Sequence, residues 1–276
     1  MIEKKFGIIG KPLSHSLSPL LHNFWFKKYK ILANYCLIEI EINEIKGIIK
    51  KIRNKELQGI NVTVPYKQAV IPFLDLIKGE AKETLSVNTI SLDEEGKVVG
   101  NNTDVYGLEH GFINKLNNIS ARTNTVLILG AGGVSSSVIY ALLKKGIKKI
   151  FISNRTFKKA ENIKKKFPFI EIIKWENIET EIKSMNIIIN TTSLGLKNGS
   201  DFMQEFKITK SNLIYYDIIY NPEETIMIKK FKENGVKTFN GLEMFMYQGQ
   251  KSFALWNNVN PKLDNDLKKI ITSKLK

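Results

Sequence analysis

Two charged residues at the ends of strand-like segments could act together as an acid–base pair. Lys67 follows a run in which the polar Asn61 and Thr63 alternate with valines, so the polar side chains share one face of the predicted strand. Asp104 closes a second polar cluster, which follows another strand-like segment. An ammonium group beside a carboxylate can deliver a proton and stabilise a developing negative charge on oxygen. Lys67 and Asp104 are therefore our candidates for catalysis.

Both residues also have an ordinary structural interpretation. Lysine and arginine together number 42 and only three of these residues are arginine, so an arbitrary lysine is expected on the solvated surface. Pro65 should end regular strand pairing and direct both Tyr66 and Lys67 out of the sheet end. Asp104 could instead be the N-cap of a helix that begins at Val105. Only their position beside other polar residues at strand ends distinguishes Lys67 and Asp104 from an ordinary surface lysine and an ordinary helix cap.

Two serines near the N-terminus could bind a negatively charged substrate group. Ser16 and Ser18 are two residues apart, so in an extended segment their hydroxyls point the same way and can hydrogen-bond a carboxylate. The alternative is that Ser18 caps a helix whose first residue is Pro19. Asn88, in the polar cluster VNT, supplies an amide group at a further strand end.

A glycine-rich turn between a strand and a helix predicts a dinucleotide site. Gly130, Gly132 and Ser135 fill the pattern G-x-G-x-x-(G/A), with a small residue in the last position. The glycines let backbone N–H groups approach a pyrophosphate at the N-terminus of the following helix. The apolar strand before the turn and the helical segment after it support this interpretation.

The end of the next strand favours NADP over NAD. An NAD site is expected to carry Asp or Glu there, to accept a hydrogen bond from the ribose 2′-hydroxyl. This segment reads Ser153, Asn154, Arg155 and Thr156, with an arginine and no acid. A guanidinium group can bind a 2′-phosphate through charge-assisted hydrogen bonds. Asn154 or Thr156 could also cap the following helix, and both interpretations can hold together.

The composition excludes several other classes of protein. The net charge of +15 comes from lysines spread over helix-like segments, with little arginine to read phosphates and bases, so no nucleic-acid partner is predicted. The apolar runs are far too short to span a membrane. Cys36 is alone, so a cytoplasmic protein without disulfides is expected, with no membrane contact and no metal site.

Strand-like and helix-like segments alternate along the chain, which predicts an α/β protein of two domains with mainly parallel sheets. Strands of the first domain are expected at about 5–10, 34–41, 59–64, 85–91 and 97–101. Six short strands between about 125 and 239 match one doubly wound Rossmann sheet. Two helices at 242–257 and 261–275, the second with Pro261 in its first turn, should complete the first domain. A ligand cleft is expected between the domains.

Nine short motifs resemble, in this order, those of the shikimate dehydrogenase family. They read SHSLSP at 14–19, NVTVPYK at 61–67, VNT at 87–89, NNTD at 101–104, GAGG at 130–133, NRT at 154–156, NTTSLG at 190–195, DIIYNPEET at 217–225 and NGLEMFMYQ at 240–248. The resemblance implies a substrate-binding and catalytic domain of residues 1–103 plus 243–276. It also implies an NADP-binding Rossmann domain over residues 104–242.

The resemblance further implies roles for single residues. Lys67 and Asp104 match the catalytic pair. Substrate contacts are implied for Ser16, Ser18, Thr63, Asn88, Tyr220 and Gln248. Cofactor contacts are implied for Gly130, Ala131, Gly132, Gly133, Val134, Asn154, Arg155, Thr156, Ile218 and Gly241, the last two at the nicotinamide end.

Two segments depart from the family pattern. Leu85 and Ser86 stand where the family usually has Gly-Ala, which could alter the packing behind Asn88. Residues 134–137 read VSSS, without the arginine often found at this turn. Phosphate binding should then depend more on the backbone and the helix dipole.

The implied activity is that of an oxidoreductase which reversibly reduces 3-dehydroshikimate to shikimate with NADPH, in the biosynthesis of chorismate and the aromatic amino acids. The sequence leaves open whether Lys67 donates the proton or is mainly an electrostatic and positioning group. The nearest alternative is a quinate/shikimate dehydrogenase with broader substrate and NAD(P) use. A non-catalytic sensor of a nucleotide or shikimate-like ligand is a second alternative, which would not need both Lys67 and Asp104. A homodimer is one candidate for the assembly.

Overall fold

The computed structural model describes residues 2–116, 124–194 and 212–275, so Gly195, at the end of the NTTSLG motif, lies outside the described residues. The chain forms two compact units. The first comprises Met1–Gly107 and Met246–Lys274, and the second comprises Leu108–Phe245 and Leu275–Lys276. These boundaries fall inside two helices, whereas the sequence prediction divided the chain before residue 104 and before residue 243.

Strands and helices alternate along the described chain. The strands are β1 Lys4–Gly10, β2 Ala33–Glu39, β3 Gly59–Val62, β4 Leu76–Ile77, β5 Thr89–Leu92, β6 Val98–Asn101, β7 Thr125–Leu129, β8 Lys149–Ser153, β9 Glu171–Ile172, β10 Ile187–Asn190, β11 Ile214–Asp217 and β12 Lys237–Phe239. The α-helices are α1 Ser18–Lys28, α2 Ile45–Arg53, α3 Glu80–Thr84, α4 Asp104–Gly111, α5 Ser135–Lys144, α6 Phe157–Lys166, α7 Ile178–Glu181, α8 Ile226–Glu233, α9 Leu242–Asn257 and α10 Asn265–Thr272.

The first unit is built on a mixed sheet in the order β2-β1-β3-β5-β6-β4. β1 pairs in parallel with β2 and β3, and β4 with β6, whereas β5 is antiparallel to both of its neighbours. Ile45, Ile48, Ile49 and Ile52 recur at helical spacing on α2, and all four are buried in the core of this unit. Because β1 and β3 are parallel neighbours, the segments that follow them leave the sheet at the same edge.

The second unit contains a parallel sheet in the order β12-β11-β10-β7-β8-β9. This is a doubly wound order. From β7 the strands are added first on one side, as β8 and β9, and then on the other side, as β10, β11 and β12. β10 is buried along its whole length and β7 along all but its first residue, as expected for strands covered on both faces. The predicted α/β class, with one mainly parallel sheet and one doubly wound sheet, is confirmed.

The closing helices belong largely to the first unit. α9 has the bounds that the sequence predicted, and α10 packs beside α1, where Lys28 forms an ion pair with Asp264. The prediction that Pro261 lies in the first turn of the last helix was wrong. α10 begins at Asn265 because the side chain of Asp264 caps it, accepting the backbone N–H of Leu267 at 3.0 Å. No helix in the described ranges is long and apolar enough to cross a membrane.

Candidate active site

Lys67 and Asp104 form a buried ion pair in the first unit. Nζ of Lys67 lies 2.6 Å from Oδ2 of Asp104, and the two side chains are 11% and 5% exposed. Charges shielded from water in this way interact more strongly than charges on the surface. An ammonium group carries three N–H donors, so the ion pair leaves Lys67 with donors for a substrate oxygen.

The segment after β3 fixes the position of Lys67. The backbone N–H of Thr63 donates to the carbonyl of Ile9 at 2.9 Å, which continues the pairing between β3 and β1. Four residues later, the carbonyl of Lys67 accepts the backbone N–H of Val87 at 2.8 Å. Lys67 is thereby tied to the segment that leads into Asn88.

Tyr66 does not leave the sheet end with Lys67, and that part of the prediction was wrong. Its side chain is buried, and its hydroxyl donates to the carbonyl of Ile40 at 2.6 Å. A tyrosine in the core is stable when its hydroxyl finds such an acceptor, so Tyr66 anchors the turn while Lys67 reaches the site.

Asn102, and not Asp104, caps helix α4. Oδ1 of Asn102 accepts the backbone N–H of Asp104 at 2.9 Å and that of Val105 at 3.3 Å. The helix begins at Asp104 itself. The alternative interpretation of Asp104 as an N-cap was therefore wrong, and its carboxylate is available to Lys67.

Asn88 binds the second oxygen of the same carboxylate. Nδ2 of Asn88 lies 2.8 Å from Oδ1 of Asp104 and 3.5 Å from Oε1 of Gln248. The structure thus brings four of the predicted site residues, Lys67, Asp104, Asn88 and Gln248, into one polar group. Asp104 is its centre, because each of its carboxylate oxygens has its own donor.

Leu85, one of the departures from the family pattern, has a left-handed backbone. Its φ is 42° and its ψ is 43°, a conformation that glycine adopts without the steric cost that a leucine bears. The Leu85 side chain is 48% exposed. At Leu85 the departure therefore affects the backbone of the turn, whereas Ser86 is fully buried.

Ser16 and Ser18 lie at the N-terminus of α1 with their Oγ atoms 3.2 Å apart. Ser18 is the first residue of the helix, and the N-cap residue is Leu17. Oγ of Ser16 accepts the backbone N–H of Ser18 at 3.3 Å. The interpretation of Ser18 as a helix cap was therefore wrong. Two adjacent hydroxyls at the positive end of a helix dipole are suited to a carboxylate.

Two close approaches fix the remaining predicted substrate residues of this unit. A Cβ at Gly10 would overlap the methyl group of Thr63, and a Cβ at Gly249 would overlap the side chain of Leu21. The first approach joins Thr63 to the end of β1. The second packs α9, next to Gln248, against α1, the helix that begins at Ser18.

In the second unit, the turn between β7 and α5 has the geometry of a phosphate-binding turn. Gly130 has a φ of +105°, and a Cβ there would lie 2.6 Å from Oγ1 of Thr191, so only glycine fits. A Cβ at Gly132 would meet no described atom within 4 Å, which leaves this part of the backbone open to a ligand. Ala131, Gly133 and Val134 complete the turn before α5.

Ser135 holds this turn closed. Its Oγ accepts the backbone N–H of Gly132 at 3.0 Å and donates toward the carbonyl of Gly130 at 3.0 Å. Ser135, in the third position of the pattern, is therefore small enough for this turn and also hydrogen-bonds to it. The glycine turn at the start of a helix fits a pyrophosphate.

Asn154, Arg155 and Thr156 follow β8 beside the glycine turn. Oδ1 of Asn154 accepts the backbone N–H of Ala131 at 3.0 Å, and its Nδ2 donates to the carbonyl of Thr156 at 2.8 Å. Thr156 occupies the N-cap position of α6 without a side-chain cap hydrogen bond. The alternative interpretation is therefore right about the position of Thr156, although its side chain makes no capping hydrogen bond, and Asn154 is not the cap. Arg155 is exposed, so its guanidinium can reach a 2′-phosphate.

Ile218, Tyr220 and Gly241 lie close together in the same unit. A Cβ at Gly241 would overlap the carbonyl of Ile218, and the N–H of Gly241 donates to the carbonyl of Ile219 at 3.0 Å. The Tyr220 ring stacks on Phe245, with centroids 4.3 Å apart and an angle of 17° between the rings.

Asp217 anchors the loop that carries Ile218 and Tyr220. Its buried carboxylate accepts four hydrogen bonds at 2.9–3.2 Å, from Asn190, Tyr215, Ile219 and Thr225. Two of these bonds, from Ile219 and Thr225, hold the segment after β11 to the end of that strand.

Sequence reasoning missed the polar residues that surround Asn88. Thr89, Thr103 and Ser252 were assigned no role, and Asn61 was noted only for its alternation with valines. Thr103 carried a signal, since it stands inside the NNTD cluster. Ser252 had none, because it is one polar residue inside the long helix α9.

Two family models match most of the chain. The model described as the shikimate dehydrogenase substrate binding domain matches residues 8–90. The model described as shikimate / quinate 5-dehydrogenase matches residues 114–238. The matches fall in the first and the second unit, respectively.

Individual proteins resemble the chain over nearly its full length. The shikimate dehydrogenase (NADP(+)) of Pelagibacter ubique is 44% identical over 265 residues, which cover 96% of this chain and 97% of that protein. The crystal structure of shikimate dehydrogenase from Aquifex aeolicus matches with a TM-score of 0.86 and 36% identity, covering 98% of this chain and 99% of that chain. Shikimate 5-dehydrogenase from Thermus thermophilus, in complex with NADP(H) and shikimate, matches with a TM-score of 0.85 and 27% identity over 99% and 100% of the two chains. On these matches, the chain belongs to the shikimate dehydrogenase family.

Proposed function

We propose that this chain is an NADP-dependent oxidoreductase that reversibly reduces the 3-keto group of 3-dehydroshikimate to the hydroxyl group of shikimate. The reaction belongs to the biosynthesis of chorismate and the aromatic amino acids. The observation that carries the proposal is the buried pair of Lys67 and Asp104, in which Asn88 binds the carboxylate oxygen that Lys67 does not use.

The reaction adds a hydride and a proton across a carbonyl group. NADPH, when bound, supplies the hydride to the carbonyl carbon. Negative charge then develops on the carbonyl oxygen, and we assign Lys67 to this atom because its ammonium group can donate a hydrogen bond and then a proton. In the reverse direction the neutral amine accepts the proton of the substrate hydroxyl.

Asp104 orients Lys67 and also faces the substrate in this proposal. Its Oδ2 holds Nζ of Lys67 at 2.6 Å. A carboxylate oxygen can accept more than one hydrogen bond, so Asp104 can also accept one from a substrate hydroxyl. Asn88 and Gln248, which adjoin this carboxylate, are assigned to the neighbouring hydroxyl groups.

The carboxylate of the substrate is assigned to Ser16 and Ser18. Their adjacent hydroxyls can both donate to it, and the N-terminus of α1 adds a favourable dipole. Thr63 and Tyr220 are assigned further contacts with the substrate, Tyr220 being held in place by its stacking on Phe245.

NADP is assigned to the second unit. The backbone of Gly130, Ala131, Gly132, Gly133 and Val134 would receive the pyrophosphate. The 2′-phosphate would be bound by Asn154, Arg155 and Thr156, with Arg155 supplying the charge. Ile218 and Gly241 would line the nicotinamide end, where the contact between their backbones leaves no room for a side chain at 241.

Three further features stay predictions. We propose residues 1–103 plus 243–276 as the substrate-binding and catalytic domain and residues 104–242 as the NADP-binding domain. A cytoplasmic location is tested by cell fractionation, and a homodimer by light scattering of the purified protein.

An assay of NADPH oxidation by the purified protein with 3-dehydroshikimate tests the proposal directly. Turnover with this pair, and formation of NADPH from shikimate and NADP, is the expected result. Quinate with NAD is the control, because efficient turnover of that pair would favour the broader quinate/shikimate dehydrogenase. Binding of substrate and cofactor without any turnover would overturn the proposal in favour of a sensor.

A further inference from the structure

A cluster of buried hydroxyl and amide groups surrounds Asn88 in the first unit. It consists of Asn61, Thr89, Thr103 and Ser252, each of which is no more than 4% exposed. We call these four residues the support cluster. They come from β3, from β5, from the segment before α4 and from α9, so four distant parts of the sequence converge here. Polar groups buried this deeply must bond to one another, and the directions of these bonds can be deduced.

The backbone decides which way the Asn88 amide points. The N–H of Thr103 donates to Oδ1 of Asn88 at 2.8 Å. A backbone N–H can only donate, so the atom that it faces must be the amide oxygen. Nδ2 must therefore be the atom that lies 2.8 Å from Oδ1 of Asp104 and 2.9 Å from Oγ1 of Thr103.

The hydroxyls of Thr103 and Ser252 continue this chain of donors. Oγ1 of Thr103 accepts from Asn88, so its own hydrogen can go to Oγ of Ser252, 3.1 Å away. Ser252 donates in turn to the carbonyl of Gln248 at 3.0 Å. The donors can thus run from the amide of Asn88 to the backbone of α9, and Oδ1 of Asn88, 3.2 Å away, is a second acceptor within reach of the Thr103 hydroxyl.

Asn61, on β3, completes the hydrogen bonds of the support cluster. Its Nδ2 donates to the carbonyl of Asn88 and to Oγ of Ser252, both at 3.0 Å, and its Oδ1 accepts the hydroxyl of Tyr35 at 2.8 Å. The carbonyl of Asn88 can only accept, so the orientation of Asn61 is also determined. Ser252 is therefore held by donors on two sides.

We propose that Thr103 and Ser252 are positioning residues for the reaction. The backbone N–H of Thr103 sets the orientation of the Asn88 amide, and the linked hydroxyls of Thr103 and Ser252 take up the second N–H of that amide and so hold its nitrogen against Asp104. With the amide turned over, its oxygen would face the carboxylate and repel it, which would displace Asp104 from Lys67. Both hydroxyls bond to groups of the protein that lead back to Asn88, so we assign their effect to Asn88 and not to a contact with the substrate. The inference rests on the proposed roles of Lys67 and Asp104.

The test is a double-mutant cycle between Thr103→Val and Asn88→Ala, with kcat and KM measured for each variant. Valine keeps the shape of threonine but removes the acceptor for Asn88. In the otherwise unchanged protein we expect a fall in kcat of about tenfold, the effect of leaving one buried donor without its partner, and an unchanged KM for NADPH. In the Asn88→Ala protein we expect a further change of no more than about twofold, because the residue through which Thr103 acts is gone.

Two companion variants keep the result interpretable. Thr103→Ser retains the hydroxyl and should restore kcat, which a purely structural role of the threonine methyl would not. Thr272→Val, at an exposed threonine on α10, is the matched control and should leave kcat unchanged. If Thr103→Val does not fold, Ser252→Ala is taken through the same cycle, with the same loss and the same non-additivity expected.

An equal fall in kcat in both backgrounds, or no fall in the unchanged one, would overturn the inference. Lys67→Ala is measured in parallel. A Lys67→Ala variant with normal kcat would refute the proposed role of Lys67, and absence of turnover by the unaltered protein would refute the proposed function. The cycle tests separately whether Thr103 and Ser252 act through Asn88.

Discussion

The amide oxygen of Asn102 accepts the backbone N–H of Asp104 at 2.9 Å, and this bond relieves the Asp104 carboxylate of capping its own helix. The consecutive residues of the NNTD cluster thus make different hydrogen bonds. The carbonyl of Asn101 accepts the N–H of Asn88 at 3.0 Å, Thr103 fixes the Asn88 amide, and Asp104 binds Lys67. Asn102, Thr103 and Asp104 are buried, so the polar groups of each must be satisfied separately.

Replacing Lys67 by alanine should lower kcat by at least about 10²-fold, the smaller end of the range for a positioned proton donor. The reason is that the developing charge on the substrate oxygen would lose its donor. Steady-state kinetics with NADPH and 3-dehydroshikimate measure the effect, and Lys97→Ala, at an exposed lysine of the same unit, is the control that should behave normally. A near-normal kcat with only a raised KM would mean that Lys67 chiefly binds substrate.

Ser16→Ala should act on KM instead. The variant loses one hydrogen bond to the substrate carboxylate, and bonds to charged groups are strong enough to raise KM by about tenfold or more. kcat should change little, because the carboxylate is not the reacting group. Ser273→Ala, at the exposed serine that follows α10, provides the comparison. Unchanged affinity for the acid substrate would refute the carboxylate role.

Arg155→Ala should reduce the preference for NADPH over NADH. The guanidinium is assigned to the 2′-phosphate, which NADH lacks, so KM for NADPH should rise by about tenfold or more while KM for NADH stays nearly constant. Both constants are measured with the same substrate, and Lys164→Ala on α6 controls for the loss of a positive charge nearby. An unchanged ratio of the two efficiencies would remove Arg155 from the 2′-phosphate site.

His22 should make the first unit sensitive to acid. It is fully buried and stacks on Tyr35, with centroids 4.4 Å apart, and burial lowers its pKa to about 3 from an ordinary 6.5. Between these values the unfolded chain binds more protons than the folded one, so the free energy of unfolding falls as the pH drops from 6.5 towards 3. His22→Phe keeps the stacked ring but cannot titrate. Between neutral pH and about pH 4.5, the free energy of unfolding of the unaltered protein should therefore fall by about 3 kcal/mol more than that of the variant.

Urea unfolding at several pH values measures this gain. In a Trp175→Phe background, tryptophan emission comes only from Trp25 and Trp256, which both lie in the same unit as His22. His15→Gln, at an exposed histidine, should follow the unaltered protein at every pH. Parallel curves for His22→Phe and the unaltered protein would show that His22 does not carry the acid sensitivity.

Much of the fold could be predicted from the sequence because the buried strands and the amphipathic helices leave clear patterns. β7 is an apolar run between a loop and a glycine turn, and the predicted range of α9 agrees with the observed one. The predicted strand at 85–91 begins only at Thr89, because Leu85 turns the chain back at the end of α3. The last helix begins later than predicted, because the cap of Asp264 outweighs the preference of Pro261 for a first turn.

The site could be predicted only in part. Strand ends pointed to Lys67, Asn88 and Asp104. They lie at one edge of the sheet because β5, which is antiparallel to β3 and β6, begins at the edge where those two strands end. The contact between Thr103 and Ser252 joins residues 149 positions apart, and nothing local in a helix announces such a partner. The cap of α4 was assigned to Asp104 instead of Asn102 because Ser, Asn, Asp and Thr compete for this role within two or three positions.

Ser135 preorganises the glycine turn of the second unit, a property that the pattern G-x-G-x-x-(G/A) does not reveal. Its hydroxyl bonds to the backbone of both Gly130 and Gly132, so the turn takes its shape while the chain folds. A loop that orders only on binding loses conformational entropy worth about 1–2 kcal/mol per residue. In this turn that entropy is lost before the cofactor arrives, and the phosphates meet a rigid backbone. Preorganisation by a serine can thus offset part of the attraction that the arginine missing from residues 134–137 would have provided.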